Sequence, residues 1–358
     1  DAESAMNTAT TKVEAVYEAP FVAHQTMEPM NCVADVKPDR CEIWGPTQAP
    51  QGAQNEAARI LGIPINQVTV HVTLLGGGFG RRLNSDYVAD AVRVSKAAGK
   101  PVMVVWTRED DTQHDWYRPM TYNIFRAGLD KDGQPVAWHH RTAGPSSRGT
   151  VVGYTTPSYL IPNYLVDSHL KDTGIPIGPW RSVGASQNGW MIESFVDELA
   201  HAAKKDPFEY RRKLLRNSPR LRKALELAAE KAGWGSPLPK GVGRGIACFE
   251  SYGSACAHVA EVSVGADGYV KLHRIVAAVD CGPVVNPDTA EAQIEGGIVY
   301  GLSAALKDEI TINQGRVQQG SYDDYRMLQF DEMPKIEVYF VKSTEAVGGT
   351  GEPGVPPT

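Results

Sequence analysis

The chain has 358 residues, 42% of them hydrophobic and 22% charged, with a formal net charge of −6. That length holds two or three domains, and the acidic balance offers no basic footprint for nucleic acid. No apolar run is long enough to cross a bilayer, so no membrane span is expected.

The chain begins at Asp1, without Met and without a visible signal peptide. That is the pattern of a processed chain or of a piece of a longer one. Its five cysteines, Cys32, Cys41, Cys248, Cys256 and Cys281, form no C-x-x-C pair, which argues against zinc or iron–sulfur ligation by this chain. Their odd number argues against a disulfide framework. Each reads as a small buried hydrophobe.

Residues 13–23 open with strand alternation. His24 and Glu28 follow with no third ligand nearby, so they read as a hydrogen-bonded structural pair rather than metal ligands. A short strand over 41–44 runs into Gly45-Pro46-Thr47-Gln48-Ala49-Pro50, and a helix follows over 51–61, stopped by Gly62. Gln48 therefore stands at a strand-to-helix junction, where its amide can donate and accept. Residues 68–74 alternate as a strand, with Val68, Val70, Val72 and Leu74 on one face. Gly76-Gly77-Gly78-Phe79-Gly80 comes next, then a helix over 86–98 with Ser85 as N-cap and Gly99 as its stop. Four glycines there let backbone N–H groups approach something bulky. A row of free N–H groups at a helix start is an anion site, although a glycine-rich turn alone is a weak motif.

Residues 100–107 read as a strand, and 123–129 with 134–142 as a hairpin about Asp132-Gly133. Between them, Trp116-Tyr117-Arg118-Pro119-Met120 sets an arginine among aromatics. The stretch Gly178-Pro179-Trp180-Arg181-Ser182-Val183-Gly184-Ala185-Ser186-Gln187 reads as a loop. It leads into a periodic helix over 190–204 with Met191, Ile192, Phe195, Val196, Leu199 and Ala203 on one stripe. Helices over 207–216 and 219–232 carry the basic run Arg211, Arg212, Lys213, Arg216, Arg220, Arg222 and Lys223, which reads as a solvated face. The Gly- and Pro-rich stretch 233–245 is the expected boundary between a first region, 13–232, and a second, 233–358.

Beyond it, 258–264 and 269–280 form a second expected hairpin, about Asp267-Gly268. A long helix over 288–306 contains Gln293-Ile294-Glu295-Gly296-Gly297 and Gly301. Glycines inside a helix cost roughly 1 kcal/mol each, so these mark close packing or a close ligand. A strand over 336–342 precedes a tail in which Gly351-Glu352-Pro353 presents one carboxylate among glycines and prolines. Helices alternating with hairpin-paired strands predict an α+β fold of mixed sheets rather than a doubly wound sheet.

Taken in order, these segments resemble the molybdenum hydroxylases of the xanthine oxidase family. They look most like the large β-type subunit of isoquinoline 1-oxidoreductase and related aldehyde dehydrogenases. The Thr47-Gln48 turn and Phe79 of the glycine loop stand at the family's spacing, 31 positions apart from Gln48 to Phe79. His24 to Pro29 resembles the family's His-x-x-hydrophobic-Glu-Pro segment, and Pro179-Trp180-Arg181 to Gln187 its Phe-Arg-Gly-x-Gly-x-x-Gln loop. Asp280-Cys281-Gly282 to Asn286-Pro287, with Gln293 to Gly297, resembles its late cofactor-binding segment. Gly351-Glu352-Pro353 resembles the Gly-Glu-Pro that carries its catalytic glutamate.

The resemblance implies the mixed α+β fold of the family's molybdenum-cofactor-binding domain, and molybdopterin as cofactor, in bacterial relatives usually the cytosine dinucleotide form. It places Gln48, Gly77, Gly78, Phe79, Gly80, Arg181, Gln187, Gln293 and Gly351 around that cofactor. It makes Glu352 the general base, and sets Arg118 and Trp180 toward substrate. No side chain is expected to ligate molybdenum, which the pterin dithiolene holds. The reaction implied is hydroxylation of an aldehyde or N-heteroaromatic with oxygen from water, electrons leaving through 2Fe-2S clusters of a small partner subunit.

Two departures refine this. Purine-oxidising relatives carry glycine, lysine and glutamate where this chain has Arg81, Arg82 and Leu83, so xanthine is not the expected substrate. The family's Met-Gly-Gln-Gly segment is absent. The chain is therefore expected to be the C-terminal portion of a longer subunit, with the N-terminal portion cleaved or supplied as a separate chain. Relatives exported with a twin-arginine signal make the periplasm the expected location. A cofactor-free scaffold of the same fold is the alternative, and joint retention of Gln48, the glycine loop, Arg181 and Glu352 counts against it. A nicotinamide or flavin enzyme fits worse, because the glycines do not follow Gly-x-Gly-x-x-Gly.

Overall fold

Local chemistry sets the helix ends. Helix α2 (Pro50–Leu61) starts with a proline, whose missing N–H is not needed in the first turn, and closes at Gly62 with φ 71°. Helix α3 (Asp86–Ala98) closes at Gly99 in the same way, while Ser85 stands at the N-cap without a capping bond from its side chain. These details come from a computed structural model that describes residues 1–145 and 158–358.

Strands β2 (Asn31–Val36), β3 (Cys41–Gly45), β4 (Val68–Val72) and β5 (Val102–Val105) form a mixed sheet in the order β4-β3-β2-β5. Strand side chains alternate between faces, so Cys32, Ala34, Cys41 and Ile43 pack against Ala53 and Ala57 of α2 and Tyr87, Val88 and Val92 of α3. All five cysteines are buried free thiols.

A second sheet joins β1 (Thr11–Ala19), β6 (Thr121–Leu129), β7 (Pro135–Gly144) and β8 (Tyr164–Leu170) in that order. The hairpin expected about Asp132-Gly133 is its β6–β7 pair. Strand β8 pairs parallel to β7, in a stretch where no element is expected from the sequence. A third sheet orders β14 (Lys335–Phe340), β11 (Val270–Asp280), β10 (Ser254–Val264) and β9 (Val242–Ser251). Its β10–β11 pair is the second expected hairpin. The α+β expectation of mixed sheets and helices stands.

The principal core lies between the second and third sheets. Met191, Phe195, Val196 and Leu199 of α5 (Val183–Ala202) pack there with Phe125 and Trp138, with Leu221 and Leu225 of α7 (Pro219–Ala232), and with Val259 and Val276. That cluster joins residues on both sides of 233–245. Helix α8 (Pro287–Leu306) starts at Asn286, whose side chain accepts the Thr289 N–H. A Cβ on its Gly297 would lie 3.2 Å from the Gly354 Cα, so that helical glycine marks close packing.

Within the basic run, Arg211 alone departs from the solvated-face reading. Arg211, on α6 (Pro207–Leu214), is fully buried. Its Nε donates to Glu193 Oε2 at 2.8 Å, its Nη2 to the Glu193 carbonyl at 2.8 Å and its Nη1 to Asp197. Tyr159 and the Cys248 N–H also donate to the Glu193 carboxylate. Removing one partner of such a pair strands a buried charge. Arg211→Met is therefore expected to cost about 3–5 kcal/mol, read as a lowered urea midpoint. Adding Glu193→Gln recovers part of it.

Candidate active site

The glycine loop is built from below by two arginines. After Gly80 the chain makes a 3-10 turn, Arg81–Leu83, before α3 begins. The loop N–H groups are thus not the first turn of a helix, which corrects the helix-start reading. Arg82 Nε donates to the Gly77 carbonyl at 2.8 Å, and its Nη2 donates to the Glu28 carbonyl at 2.8 Å and to Glu28 Oε2 at 2.9 Å. Arg81 grips Asp86 through both terminal nitrogens and lies 3.1 Å from Asp115. The two arginines that replace the purine-type residues therefore brace the loop.

Gln48 lies against this loop. Its Oε1 accepts the Gly80 N–H at 3.1 Å, and its own N–H donates to the Arg82 carbonyl at 3.0 Å. A Cβ on Gly78 would sit 2.5 Å from Gln48 Oε1, so only glycine lets the amide in. Phe79 is held at φ 53°, a strained value for a bulky residue.

His24 and Glu28 are structural, as expected, but not with each other. His24 Nδ1 pairs with Asp115 at 2.9 Å, and its Nε2 faces the Pro179 carbonyl at 2.9 Å. Burial works against the Asp115 carboxylate, yet His24 and Arg81 outweigh it and hold its pKa below the ordinary range. The Pro179 carbonyl in turn covers Gly80, where a Cβ would overlap it outright. The glycine loop is thereby pressed onto the segment carrying Trp180 and Arg181.

That segment holds Glu352. Arg181 Nε donates to the Gly351 carbonyl at 2.5 Å, and its Nη2 donates to the Gln293 carbonyl at 3.0 Å. Burial lowers the Arg181 pKa, opposed by Tyr300 and Glu352. The Ser182 N–H donates to Glu352 Oε1 at 3.3 Å, and Ser182 Oγ donates to the Glu352 carbonyl at 2.6 Å. Ser182 and Val183 stand at φ 75° and 47°. For a β-branched valine this is an outlier of the kind that clusters at functional sites. The Tyr252 hydroxyl faces the Glu352 carboxylate, and burial together with that carboxylate pushes its pKa up. Nothing in the sequence singles out Ser182 or Tyr252, since both act across more than 90 residues.

Arg181, Gln293, Gly351 and Glu352 thus form one cluster, and Gln48 with Gly77 to Gly80 another. Phe79 stacks on Tyr300, and Tyr300 on Trp180, each with ring centroids 4.4 Å apart. Gln187 departs from its expected place. It lies fully buried on the second turn of α5, not in a loop, because the helix starts seven residues before the expected Trp190. Arg118 and Trp180 line a cavity of about 950 Å³ that Gln48, Glu352 and residues 77–80 do not line.

The residues present fit an anionic, hydrogen-bond-accepting cofactor. The N–H groups of Gly77, Gly78 and Phe79 and the Gln48 Nε2 donate to no other described residue. They are idle donors at the loop and beside it. Among the described residues no group of three or more His, Cys, Asp or Glu side chains is placed to hold a metal.

The site sets a glycine loop with idle backbone donors and a loop carboxylate held by Ser182 on two segments that meet at Gly80 and Pro179. Two family models, both described as molybdopterin cofactor-binding domains, match residues 1–215 and 196–334. The chain belongs to this molybdopterin cofactor-binding family. It is 32% identical to the isoquinoline 1-oxidoreductase subunit beta of Brevundimonas diminuta, over 95% of this chain and 46% of that protein. It is 31% identical to a membrane-bound aldehyde dehydrogenase of Gluconacetobacter polyoxogenes named for pyrroloquinoline quinone, over 98% of this chain and 51% of that protein. The fold is that of quinoline 2-oxidoreductase from Pseudomonas putida 86, with a TM-score of 0.87 at 14% identity over 100% of this chain and 73% of that one. The chain spans about half the length of the two curated relatives.

Proposed function

We propose that this chain is the portion of a molybdopterin-dependent oxidoreductase that carries the cofactor loop and the catalytic base, and that its substrate is an aldehyde or an N-heteroaromatic. The observation that carries this reading is the placement of Glu352. Its carboxylate is held by the Ser182 N–H on a strained turn, next to Arg181 and Gln293, and that turn's neighbour Pro179 packs its carbonyl against Gly80 of the glycine loop.

Gln48 Nε2 and the N–H groups of Gly77, Gly78 and Phe79 would hold the cofactor's oxygen atoms. Molybdopterin, when bound, supplies two-electron oxidation with oxygen drawn from water. Glu352 accepts the proton that water gives up, at one carboxylate oxygen, while Ser182 fixes the other. Arg181 is spent on holding Gly351 and Gln293 and so keeps the Glu352 loop in register. The name of one relative points to pyrroloquinoline quinone, but both family models describe molybdopterin binding. The finer reading adds the cytosine dinucleotide form and a small subunit with 2Fe-2S clusters. It also adds the N-terminal portion bearing Met-Gly-Gln-Gly, and a periplasmic location.

Inductively coupled plasma mass spectrometry of the protein, purified with the chains that accompany it, tests the proposal. The expected result is about one molybdenum per complex, with iron in the accompanying chain. Absence of molybdenum with those chains present would favour the cofactor-free scaffold.

A further inference from the structure

Four arginines are buried among the described residues: Arg81, Arg82, Arg118 and Arg211. Three of them have carboxylate partners. Arg81 pairs with Asp86 and Asp115, Arg82 with Glu28, and Arg211 with Glu193 and Asp197. Arg118 is 4% exposed, and its Nε is buried without a partner. Its guanidinium makes no ion pair or hydrogen bond with any described residue, and it lies over the Trp180 ring, 5.2 Å from Cζ to centroid. Arginine is almost never buried unless paired, because an uncompensated charge in a poorly solvated site is costly.

The backbone leaves Arg118 no freedom to escape. Its N–H donates to the Val22 carbonyl at 2.9 Å, and its carbonyl accepts the Val22 N–H at 3.4 Å. The side chain is thereby committed to the wall of the 950 Å³ cavity, which Phe21, Trp180 and Trp190 also line, with Glu18, Lys307, Asp308 and Glu309 as its other charged groups. That volume is of ligand size. Beyond burial, the groups acting on Arg118 are the Tyr325 hydroxyl and then the Asp308 carboxylate; Asp308 forms no ion pair with it and accepts from Ser303 Oγ at 2.8 Å instead. Burial raises the Asp308 pKa to about 7, so its charge is a weak counterweight. The cavity also contains Val355 and Trp180 but not Glu352. It therefore lies behind the segments that hold the proposed base.

We propose that this cavity is an anion site in which Arg118 takes a carboxylate carried on an apolar body, the guanidinium fork gripping both oxygens and the aromatic walls covering the rest. A planar guanidinium matches a carboxylate bidentately. The carboxylate comes either from a small organic acid or from an acidic side chain of an accompanying polypeptide. The inference rests on the cavity and Arg118, independently of the oxidoreductase reading.

The test uses the protein purified with its accompanying chains, with benzoate as probe and benzamide as its neutral counterpart. Calorimetry is expected to show benzoate binding at least tenfold tighter than benzamide. Arg118→Met is expected to abolish the benzoate-induced rise in melting temperature while raising the melting temperature of the unliganded protein, since a lone buried charge is gone. Arg118→Lys, which keeps the charge and loses the fork, is expected to weaken benzoate about tenfold. If a polypeptide supplies the anion, a structure of the complex shows its carboxylate on Arg118 and benzoate binds only after the chains are separated. Equal binding of benzoate and benzamide, or benzoate binding unchanged in Arg118→Met, overturns the proposal. So does a complex in which Arg118 meets no carboxylate and no benzoate binds in either form.

Discussion

Glu352→Gln is expected to lower turnover by about 10²–10⁴-fold while leaving the fold and the molybdenum content unchanged. The substitution is nearly isosteric, and the amide oxygen of glutamine still accepts the Ser182 N–H that now meets Glu352 Oε1 at 3.3 Å. The Ser182 Oγ bond goes to the backbone carbonyl of residue 352 and does not depend on the side chain. Arg181 likewise holds the Gly351 carbonyl. The loop therefore keeps its course, and what is removed is the carboxylate's charge and with it the ability to accept a proton. Steady-state kcat, measured beside molybdenum analysis and circular dichroism, separates the cases. A near-normal kcat removes Glu352 from the role of base. Loss of molybdenum would make it a cofactor-holding residue instead.

Gly80→Ala is expected to be the most damaging single methyl group at the site. Gly80 has φ 108°, where an L side chain is strained by about 1–3 kcal/mol. Its new Cβ would also overlap the Pro179 carbonyl oxygen and lie 3.4 Å from His24 Nε2. Relief requires moving the 179–182 segment off the glycine loop, which breaks the His24 contact to Pro179 and shifts Ser182 away from Glu352. Strain and overpacking together put the cost at about 3–5 kcal/mol. Gly62→Ala is the control. It has φ 71° at a helix end with nothing within 4 Å of the added atom, so it carries the conformational cost, about 1 kcal/mol, without the clash. Urea midpoints of the two variants isolate the steric part. Equal midpoints would show that the two loops are not pressed together at Gly80, and molybdenum content reports whether the cradle survives.

Much of the fold was legible because its signals are local. Periodicity and flanking glycines place α3 over 86–98 and α7 over 219–232, to the residue. Asp-Gly turns mark both hairpins. The start of α5 was not legible, because Ser182 and Val183 enter it through left-handed backbone that no propensity favours. The burial of Arg211 was hidden because its partners lie on the preceding helix, and basic residues one turn apart read alike whether solvated or paired. Strand β8 was hidden because parallel pairing with β7 leaves no turn signal.

The sequence by itself determined which elements form, and its resemblance to the family singled out the candidates for chemistry: Gln48 at its junction, the glycine loop, Arg181 and Glu352. Hydrogen bonds and side-chain periods within a few residues suffice for the elements, and motif order and spacing for the candidates. Only the tertiary structure decided which of them meet. The Pro179 carbonyl over Gly80, the Ser182 N–H on Glu352 and Asp115 on His24 join residues 91 to 170 positions apart. Among the described residues, Arg118 was left without a carboxylate by the same long-range packing. Such pairings are set by which buried faces and charges can be satisfied at once in three dimensions, and no local pattern encodes that choice.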